Sequence, residues 1–387
     1  MDYSKFLRKE VTEYINANLK GDLHSLLLKR SPFEDITMAE LGQQIQGRQT
    51  ALRKFPSYIK DGVVFPPKLN LEQTSSEATA KYKASQITGE TWLDLTSGLG
   101  IDSFYMSENF RQRTLVEQNS ELVPIIKHNF VVWDRAVEII NNSLENCLDN
   151  FKDKYDLVYL DPARRDNTKR KVFLLEDLSP NILEIQDRIL ALGNQVVIKL
   201  SPLIDLTYLL EVLPKTHKID IIALKNEVKE VLVYMSNDQP SAEVNIKCIN
   251  LESEESDFEF NLNSEQNTDV EFSPIKDYLY IPNNAITKAG AFKSVAKRYN
   301  LYKLHPNTHF YTSDQYVKEF PGRHFRIEEI TAKDIEKGAY YNIVSKNYPV
   351  KPEDLKKKFK TKDGGEKYLI FTQDVKGKKI LKAVPVI

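Results

Sequence analysis

The stretch that most restricts the fold runs from Thr91 to Ser103 and reads T-W-L-D-L-T-S-G-L-G-I-D-S. A β-type run, Thr91–Leu95, meets a tight turn over Ser97–Gly100, and the chain resumes as a helix at about residue 102. Gly98 and Gly100 flank the one apolar residue of the turn. Glycines there let the backbone approach a ligand closely, and the helix start behind them leaves N–H donors facing it. That is the pattern of a nucleotide-type cofactor site. The segments that follow supply the rest of a sheet. Between Thr91 and Met235, strand-like runs at 91–95, 113–117, 137–140, 155–160, 194–200, 218–224 and 229–235 alternate with helical ones at 102–109, 120–130, 143–151, 179–191 and 204–213. The alternation predicts a doubly wound α/β sheet of seven strands with ligands at the C-terminal ends of its strands. Only Lys225-Asn226-Glu227-Val228 joins the last two runs. A parallel crossover needs a longer connection, so one of the two runs antiparallel.

Four strand ends then form the candidate site. The first contributes Asp94, Thr96, Ser97, Gly98, Gly100 and Asp102. At the second, Glu117 precedes Gln118 and lies 23 residues after Asp94, where an acid can accept both hydroxyls of a ribose. The third ends in Asn141-Asn142-Ser143, placed for an adenine edge. The fourth ends at Asp161 in Y-D-L-V-Y-L-D-P-A-R-R-D, and its turn faces the reactive end of the cofactor. Upstream, Gln73, Thr74 and Ser75 can reach the ligand's polar end, or Ser75 or Ser76 can simply cap the helix that follows. A nicotinamide dinucleotide would want a third glycine where this chain has Ser103, and has no use for the Asp161-Pro162 turn. The glycine turn, Glu117 and Asp161 in one alternating sheet point to S-adenosylmethionine.

The remaining chain divides around that unit. Residues 1–78 read as a helical subdomain, with apolar stripes at Phe6, Val11, Tyr14, Ile15 and at Leu23, Leu26, Leu27, Leu28. Residues 79–240 hold the alternating domain and 241–277 a β extension, where Phe258, Phe260 and Leu262 suggest an edge hairpin. Residues 278–326 form a small α+β segment with a helix around Ala289–Tyr299. Residues 327–387 read β-α-β-β, with a basic helix over Pro352–Phe359 and a turn at Asp363-Gly364-Gly365. From Pro274 onward there are 23 Lys and Arg against 12 Asp and Glu; before it the balance is 31 against 43. A basic region of this kind suits phosphates, although a solvated lysine face explains the count equally well. Tyr340-Tyr341 and Lys356–Lys358 could bind RNA by stacking and charge, or form a buried aromatic and a solvated helix face. Cys147 and Cys248 and the six histidines show no metal spacing. No apolar run approaches the ~18 residues a membrane span needs, and the N-terminus has no apolar stretch behind its charges. The expectation is a reduced, cytoplasmic protein with no metal and no membrane.

Residues 91–235 resemble class I S-adenosylmethionine-dependent methyltransferases, with their Rossmann-like sheet. The whole chain resembles the bacterial methyltransferase family with a THUMP-like C-terminal domain. The stretches that carry this are Gln46-Gly47-Arg48-Gln49, E-Q-T-S-S-E-A-T-A-K-Y-K-A (72–84), D-L-T-S-G-L-G-I-D (94–102), D-P-A-R-R-D (161–166), K-L-S-P-L-I-D (199–205), N-E-V-K-E (226–230), F-P-G-R-H-F (320–325) and K-D-G-G (362–365). The resemblance implies a methyltransferase with a ferredoxin-like segment and a THUMP-like tail, acting on RNA such as tRNA or rRNA. Two departures narrow the chemistry. Uracil C5-methyltransferases place a nucleophilic cysteine where this chain has Lys199-Leu200-Ser201-Pro202; attack on a pyrimidine C6 needs a thiolate, so that route is disfavoured. Amino-group methyltransferases use an Asn/Asp-Pro-Pro-aromatic turn, and here Ala163-Arg164 stands in place of Pro-aromatic.

Methyl transfer is largely alignment of a lone pair with the methyl, together with removal of a proton. Asp161 is the expected proton acceptor or orienting group, with Arg164 and Arg165 at the mouth for phosphate or base contacts. Pairing of an arginine with Asp166 or Glu176 is the plain structural alternative. Lys199 stands open between a functional cation and an ion pair with an acid such as Asp161. An RNA-binding protein that keeps the cofactor fold with little or no catalysis is the competing reading, and a protein or small-molecule methyltransferase a third.

Overall fold

The computed structural model describes residues 3–67, 71–72, 74–164, 174–238 and 243–386. The chain forms two compact units, residues 1–217 with 231–241, and residues 218–230 with 242–387.

The first unit opens with helices α1 (Lys9–Ala17), α2 (Leu23–Leu27) and α3 (Met38–Lys54). Thr37 and Glu40 close a capping box at the start of α3, satisfying donors that a helix N-terminus otherwise leaves unpaired. Of the expected leucine stripe only Leu26 is buried throughout; Leu27 and Leu28 face solvent. The Gln46–Gln49 stretch is a packing device. A Cβ on Gly47 would sit 2.2 Å from Phe65 Cβ, Arg48 donates to the Lys60 carbonyl at 3.1 Å, and Gln49 donates to the Leu19 carbonyl at 2.8 Å. Gln44 exchanges two hydrogen bonds with the Phe65 backbone. Helix α4 (Glu77–Ser85) is capped by Ser76, whose hydroxyl accepts from Thr79 N, which leaves Ser75 free for another role.

The sheet follows with β1 (Thr91–Asp94), α5 (Ile101–Met106), β2 (Gln112–Glu117), α6 (Leu122–Val132), β3 (Glu138–Asn141), α7 (Leu144–Cys147) and β4 (Tyr155–Leu160). A small ribbon, β5 (Ala163–Arg164) against β6 (Leu178–Ser179), precedes α8 (Ile182–Leu192), β7 (Gly193–Leu200) and α9 (Leu206–Val212). The order β3-β2-β1-β4-β7 is parallel throughout. Its central strands are apolar on both faces, as strands covered by helices on two sides must be. The chain then makes a hairpin of β8 (Thr216–Leu224) and β9 (Glu227–Met235), turning on Lys225 and Asn226, both at positive φ. Val231–Met235 run antiparallel to β7, so β9 is the reversed strand.

The second unit adds two strands beyond the expected seven. β10 (Asn245–Leu251) pairs parallel with β8, and β11 (Phe258–Asn261) antiparallel with β10. The hairpin is as expected, but Leu262 does not extend it; Asn261 caps α10 (Leu262–Asn267) there. Next come β12 (Tyr278–Pro282), α11 (Asn284–Ala289), α12 (Phe292–Arg298), β13 (Tyr302–His305), β14 (Thr308–Ser313), β15 (Gly322–Ile330), β16 (Tyr340–Ser345), α13 (Pro352–Phe359), β17 (Lys362–Asp374) and β18 (Gly377–Pro385). The single helix expected around Ala289–Tyr299 is two, because Gly290 takes the left-handed conformation (φ +71°) and ends the first. Seven of these strands form one sheet, ordered β13-β14-β12-β15-β18-β17-β16. Asp363-Gly364-Gly365 is not a turn. It lies inside β17, where the two glycines at φ +110° and +78° make a bulge and shift the register against β16. Tyr340 is 57% exposed, whereas Tyr341 is in the core.

The F-P-G-R-H-F stretch is explained by close backbone approach. Gly322 opens β15 opposite Pro282 at φ +152°, and a Cβ there would lie 2.2 Å from the Ile281 carbonyl oxygen and 2.9 Å from Pro282 Cα. Backbone cannot yield as a side chain can. Gly322→Ala should therefore cost about 2 kcal/mol or more of stability, read as a lower urea midpoint. An unchanged midpoint would mean that β12 and β15 separate freely.

Candidate active site

The strand ends of the parallel sheet open onto a cavity of about 640 Å³, within the range of small-molecule sites. Its walls combine an apolar strip (Leu99, Ile101, Val116, Leu122, Leu144) with the acids Asp94, Asp102, Glu117, Glu145 and Asp161.

The turn after β1 is braced from inside. Asp94 is 1% exposed. Its carboxylate accepts from Thr96 N at 2.9 Å and from the Ser103 hydroxyl. The chain thus uses the serine that departs from the dinucleotide pattern to tie the first turn of α5 back to β1. Burial pushes the Asp94 carboxyl up to about 7, with the Asp102 and Asp161 charges adding to it, against the pull of those hydrogen bonds. Gly98 and Gly100 sit at φ +54° and +77°, where side-chain-bearing residues are strained. Gly98 N donates to Glu117 Oε2 at 2.7 Å, and Asn119 N to Oε1 at 2.7 Å. Two backbone donors therefore orient the Glu117 carboxylate toward the cavity. Burial raises its pKa and the two N–H groups oppose that.

Asp161 follows β4. Its N–H donates to Thr96 Oγ1 at 2.6 Å, and its carboxylate pairs with Lys199 at the end of β7. Lys199 Nζ also lies 3.0 Å from Asp102 Oδ2 and donates to Ser75 Oγ at 3.1 Å. Asp102 is the hub. Its Oδ2 further accepts from Ser75 Oγ (2.9 Å) and Tyr159 OH (2.8 Å), and its Oδ1 pairs with Lys83 Nζ at 3.0 Å. Burial penalises its charge, but Lys199 and Lys83 outweigh the penalty and hold its pKa well below the usual carboxylate range. Asp161 is pushed up, by burial first and by Asp102, with Lys199 opposing. Its side chain keeps 34% of its surface open, so water screens part of that penalty.

Of the residues expected at the site, Ser75, Asp94, Thr96, Ser97, Gly98, Asp102, Glu117, Gln118, Asn142, Asp161 and Arg164 line the cavity together. Gly100 and Ser143 stand behind the lining: Gly100 starts α5 and Ser143 starts α7. Gln73 and Arg165 lie outside the described residues. Arg164 is exposed in the β5–β6 ribbon. Both cysteines are buried away from the cavity, and burial raises both thiols. Sequence reasoning missed Lys83, Tyr159, Asn119 and the Ser179-Pro180 wall. Tyr159 had a signal, since it stands two residues before Asp161 and so shares its strand face. Lys83 had none, because nothing local distinguishes a buried lysine on a helix from a solvated one.

Residues 75–185 match the family model described as Conserved hypothetical protein 95, residues 278–321 a ferredoxin-like domain and residues 322–384 a THUMP domain-like family. A crystal structure from Porphyromonas gingivalis W83, assigned as a methyltransferase, is 31% identical with a TM-score of 0.87, covering 100% of this chain and 99% of that one. The chain belongs to the class I S-adenosylmethionine-dependent methyltransferases. Within them it falls in the bacterial family that carries a THUMP-like C-terminal domain. Two curated relatives, from two strains of Mycobacterium tuberculosis, are described as uncharacterized S-adenosylmethionine-dependent methyltransferases. Each is 21% identical over 245 residues, 63% of this chain and 64% of the relative, so the chain spans less than two thirds of their length. The cofactor of this methyltransferase family is S-adenosylmethionine. Among the described residues no cluster of His, Cys, Asp or Glu is arranged to hold a metal, and no helix is long and apolar enough to cross a membrane.

Proposed function

We propose that this chain is an S-adenosylmethionine-dependent methyltransferase of structured RNA. In this reading the cofactor lies across the strand ends: Glu117 accepts the ribose hydroxyls, Gln118 and Asn142 meet the adenine edge beside the apolar strip, and Thr74, Ser75, Asp94 and Gly98 surround the amino-acid end. When bound, the cofactor supplies an electrophilic methyl group. The protein's part is to align the acceptor's lone pair and take up its proton. Asp161 is placed for that, and the exposed Arg164 for contact with the acceptor. The observation that carries the cofactor reading is the pair of acids Glu117 and Asp161 at the ends of the two strands that flank β1, around one cavity.

The RNA reading is supported by the THUMP-like match over 322–384 and by the surplus of Lys and Arg beyond Pro274. On that module Lys362 Nζ lies 5.3 Å from the centre of the exposed Tyr340 ring, a cation and a stacking surface side by side. Residues 327–387 would then hold substrate. Two outcomes test the proposal. Calorimetry with S-adenosylmethionine should give binding that weakens on the order of tenfold or more in Glu117→Ala; equal affinity in that variant would remove the ribose role. RNA from a deletion strain complemented with Asp161→Ala should lack a methylated nucleoside that the wild-type gene restores. If wild type and variant give the same nucleoside profile, RNA methylation by Asp161 is wrong. The absence of Pro-aromatic at Ala163-Arg164 favours a second reading, an RNA-binding protein with little catalysis. Cofactor binding without any nucleoside difference would select it.

A further inference from the structure

We propose that Lys199 is the positioning residue of this site, holding the Asp161 carboxylate at the reactive end of the cavity while Asp102 holds Lys199 from behind. The proposal rests on the reading that Asp161 faces the acceptor. An ammonium carries three protons. Lys199 Nζ has an acceptor for each: Asp161 Oδ2, Asp102 Oδ2 at 3.0 Å and Ser75 Oγ at 3.1 Å. With its side chain only 12% exposed, a lysine satisfied in this way has one orientation, and so has the carboxylate it grips.

The two carboxylates are not equivalent. Asp102 receives two ammonium groups and two hydroxyls and is buried, and three of those partners come from elements other than β7: Ser75 before α4, Lys83 on α4 and Tyr159 on β4. Among the described residues Asp161 pairs with the one ammonium, and it opens to the cavity. Asp102 is therefore the anchor and Asp161 the presented group. The other charges around the pair are Asp94 at the end of β1 and Lys54 on α3, which repels Lys199. A carboxylate that is to take a proton from an acceptor must be charged when the acceptor arrives. Burial and Asp102 work against that charge at Asp161, and Lys199 is the neighbour that favours it most.

The test is a ¹³C-carboxyl NMR titration of the full chain with labelled aspartate, the Asp161 resonance identified by its loss in Asp161→Asn. In Lys199→Met the Asp161 midpoint should rise by about one pH unit or more, and in Lys199→Arg it should return to within about half a unit of wild type. In Asp102→Asn it should fall, because a repelling charge is gone and the lysine is left to Asp161. A lysine with a merely structural role would not move the midpoint in opposite directions in these variants. An unmoved midpoint in Lys199→Met, or a raised one in Asp102→Asn, overturns the proposal. Should Lys199→Met fail to fold, Lys199→Gln, which keeps a hydrogen-bond donor without the charge, decides by the same rise. With RNA from a deletion strain as acceptor, the acidic limb of the methyl-transfer pH profile should move up in Lys199→Met and return in Lys199→Arg, while KM for the cofactor changes less than about threefold. Methyl transfer by Lys199→Met equal to wild type at every pH would also overturn it. The titration uses no acceptor, so expected midpoints alongside a wild type that methylates no RNA would reject the RNA reading and leave the pairing standing.

Discussion

Replacing Asp102 by alanine is expected to cost about 3–5 kcal/mol of stability, the range for breaking a buried charge network by removing one partner. The reason lies in what remains. Lys83 is fully buried and would lose its pairing with this carboxylate, Lys199 would lose one of its two acids, and the hydroxyls of Tyr159 and Ser75 would lose an acceptor. Urea denaturation of wild type and Asp102→Ala at pH 6 measures the loss. A loss below about 1 kcal/mol at pH 6 would show that the network relaxes around a missing centre and that Asp102 is no hub.

The second large effect concerns Asp94 and pH. Its folded-state pKa is raised from the ordinary 3.8 to about 7. The folded protein therefore binds this proton more tightly than the unfolded chain does. Stability falls as pH rises from about 4 to about 7, and the penalty is complete above that window. At 1.36 kcal/mol per unit, the full cost is of order 4 kcal/mol at pH 8 in the cofactor-free protein. Asp94→Asn removes the charge, keeps an acceptor for Thr96 N and offers the Ser103 hydroxyl a donor instead. It should be near neutral at pH 4 and stabilising by a few kcal/mol at pH 8. The readout is the difference between the two stability–pH curves, since other groups titrate in both. Parallel curves would mean that Asp94 is ionised throughout and that the turn stabilises its charge. Should the curves diverge, the site stores instability when empty, as functional sites often do.

Much of the architecture was legible because it depends on local pattern. The alternation of β-type and helical runs located the strands from 91 to 235 to within a few residues, and the short Lys225–Val228 connection implied the reversed strand that β9 is. Misses came where local signals compete. Asp363-Gly364-Gly365 has turn chemistry, but the pairing of β17 with β16 resumes beyond it and absorbs it as a bulge. Leu27 and Leu28 have the composition of a core stripe, but consecutive residues of a helix point about 100° apart, and Leu28 lies past the end of α2. Gly47 and Gly322 stood in motifs that could have been read as functional. Each is held by a backbone or side chain lying 2.2 Å from where its Cβ would be, a distance that sequence does not carry.

The site divides in the same way. Sequence by itself determined which residues stand at the ends of the parallel strands, because in a doubly wound sheet the C-terminal strand ends share one edge: Asp94, Glu117, Asn142 and Asp161 fall there. It also determined the absence of a cysteine after β7 and of a Pro-aromatic after Asp161. Only the tertiary structure decided what those residues do to one another. Ser75 rather than Ser76 reaches Asp102, Lys199 chooses two acids at once, and Lys83 comes from a helix outside the sheet to neutralise the hub. Charge pairing depends on distances of 3 to 4 Å between atoms that are up to 97 positions apart in the chain, and it falls away over the few ångströms that local pattern leaves free.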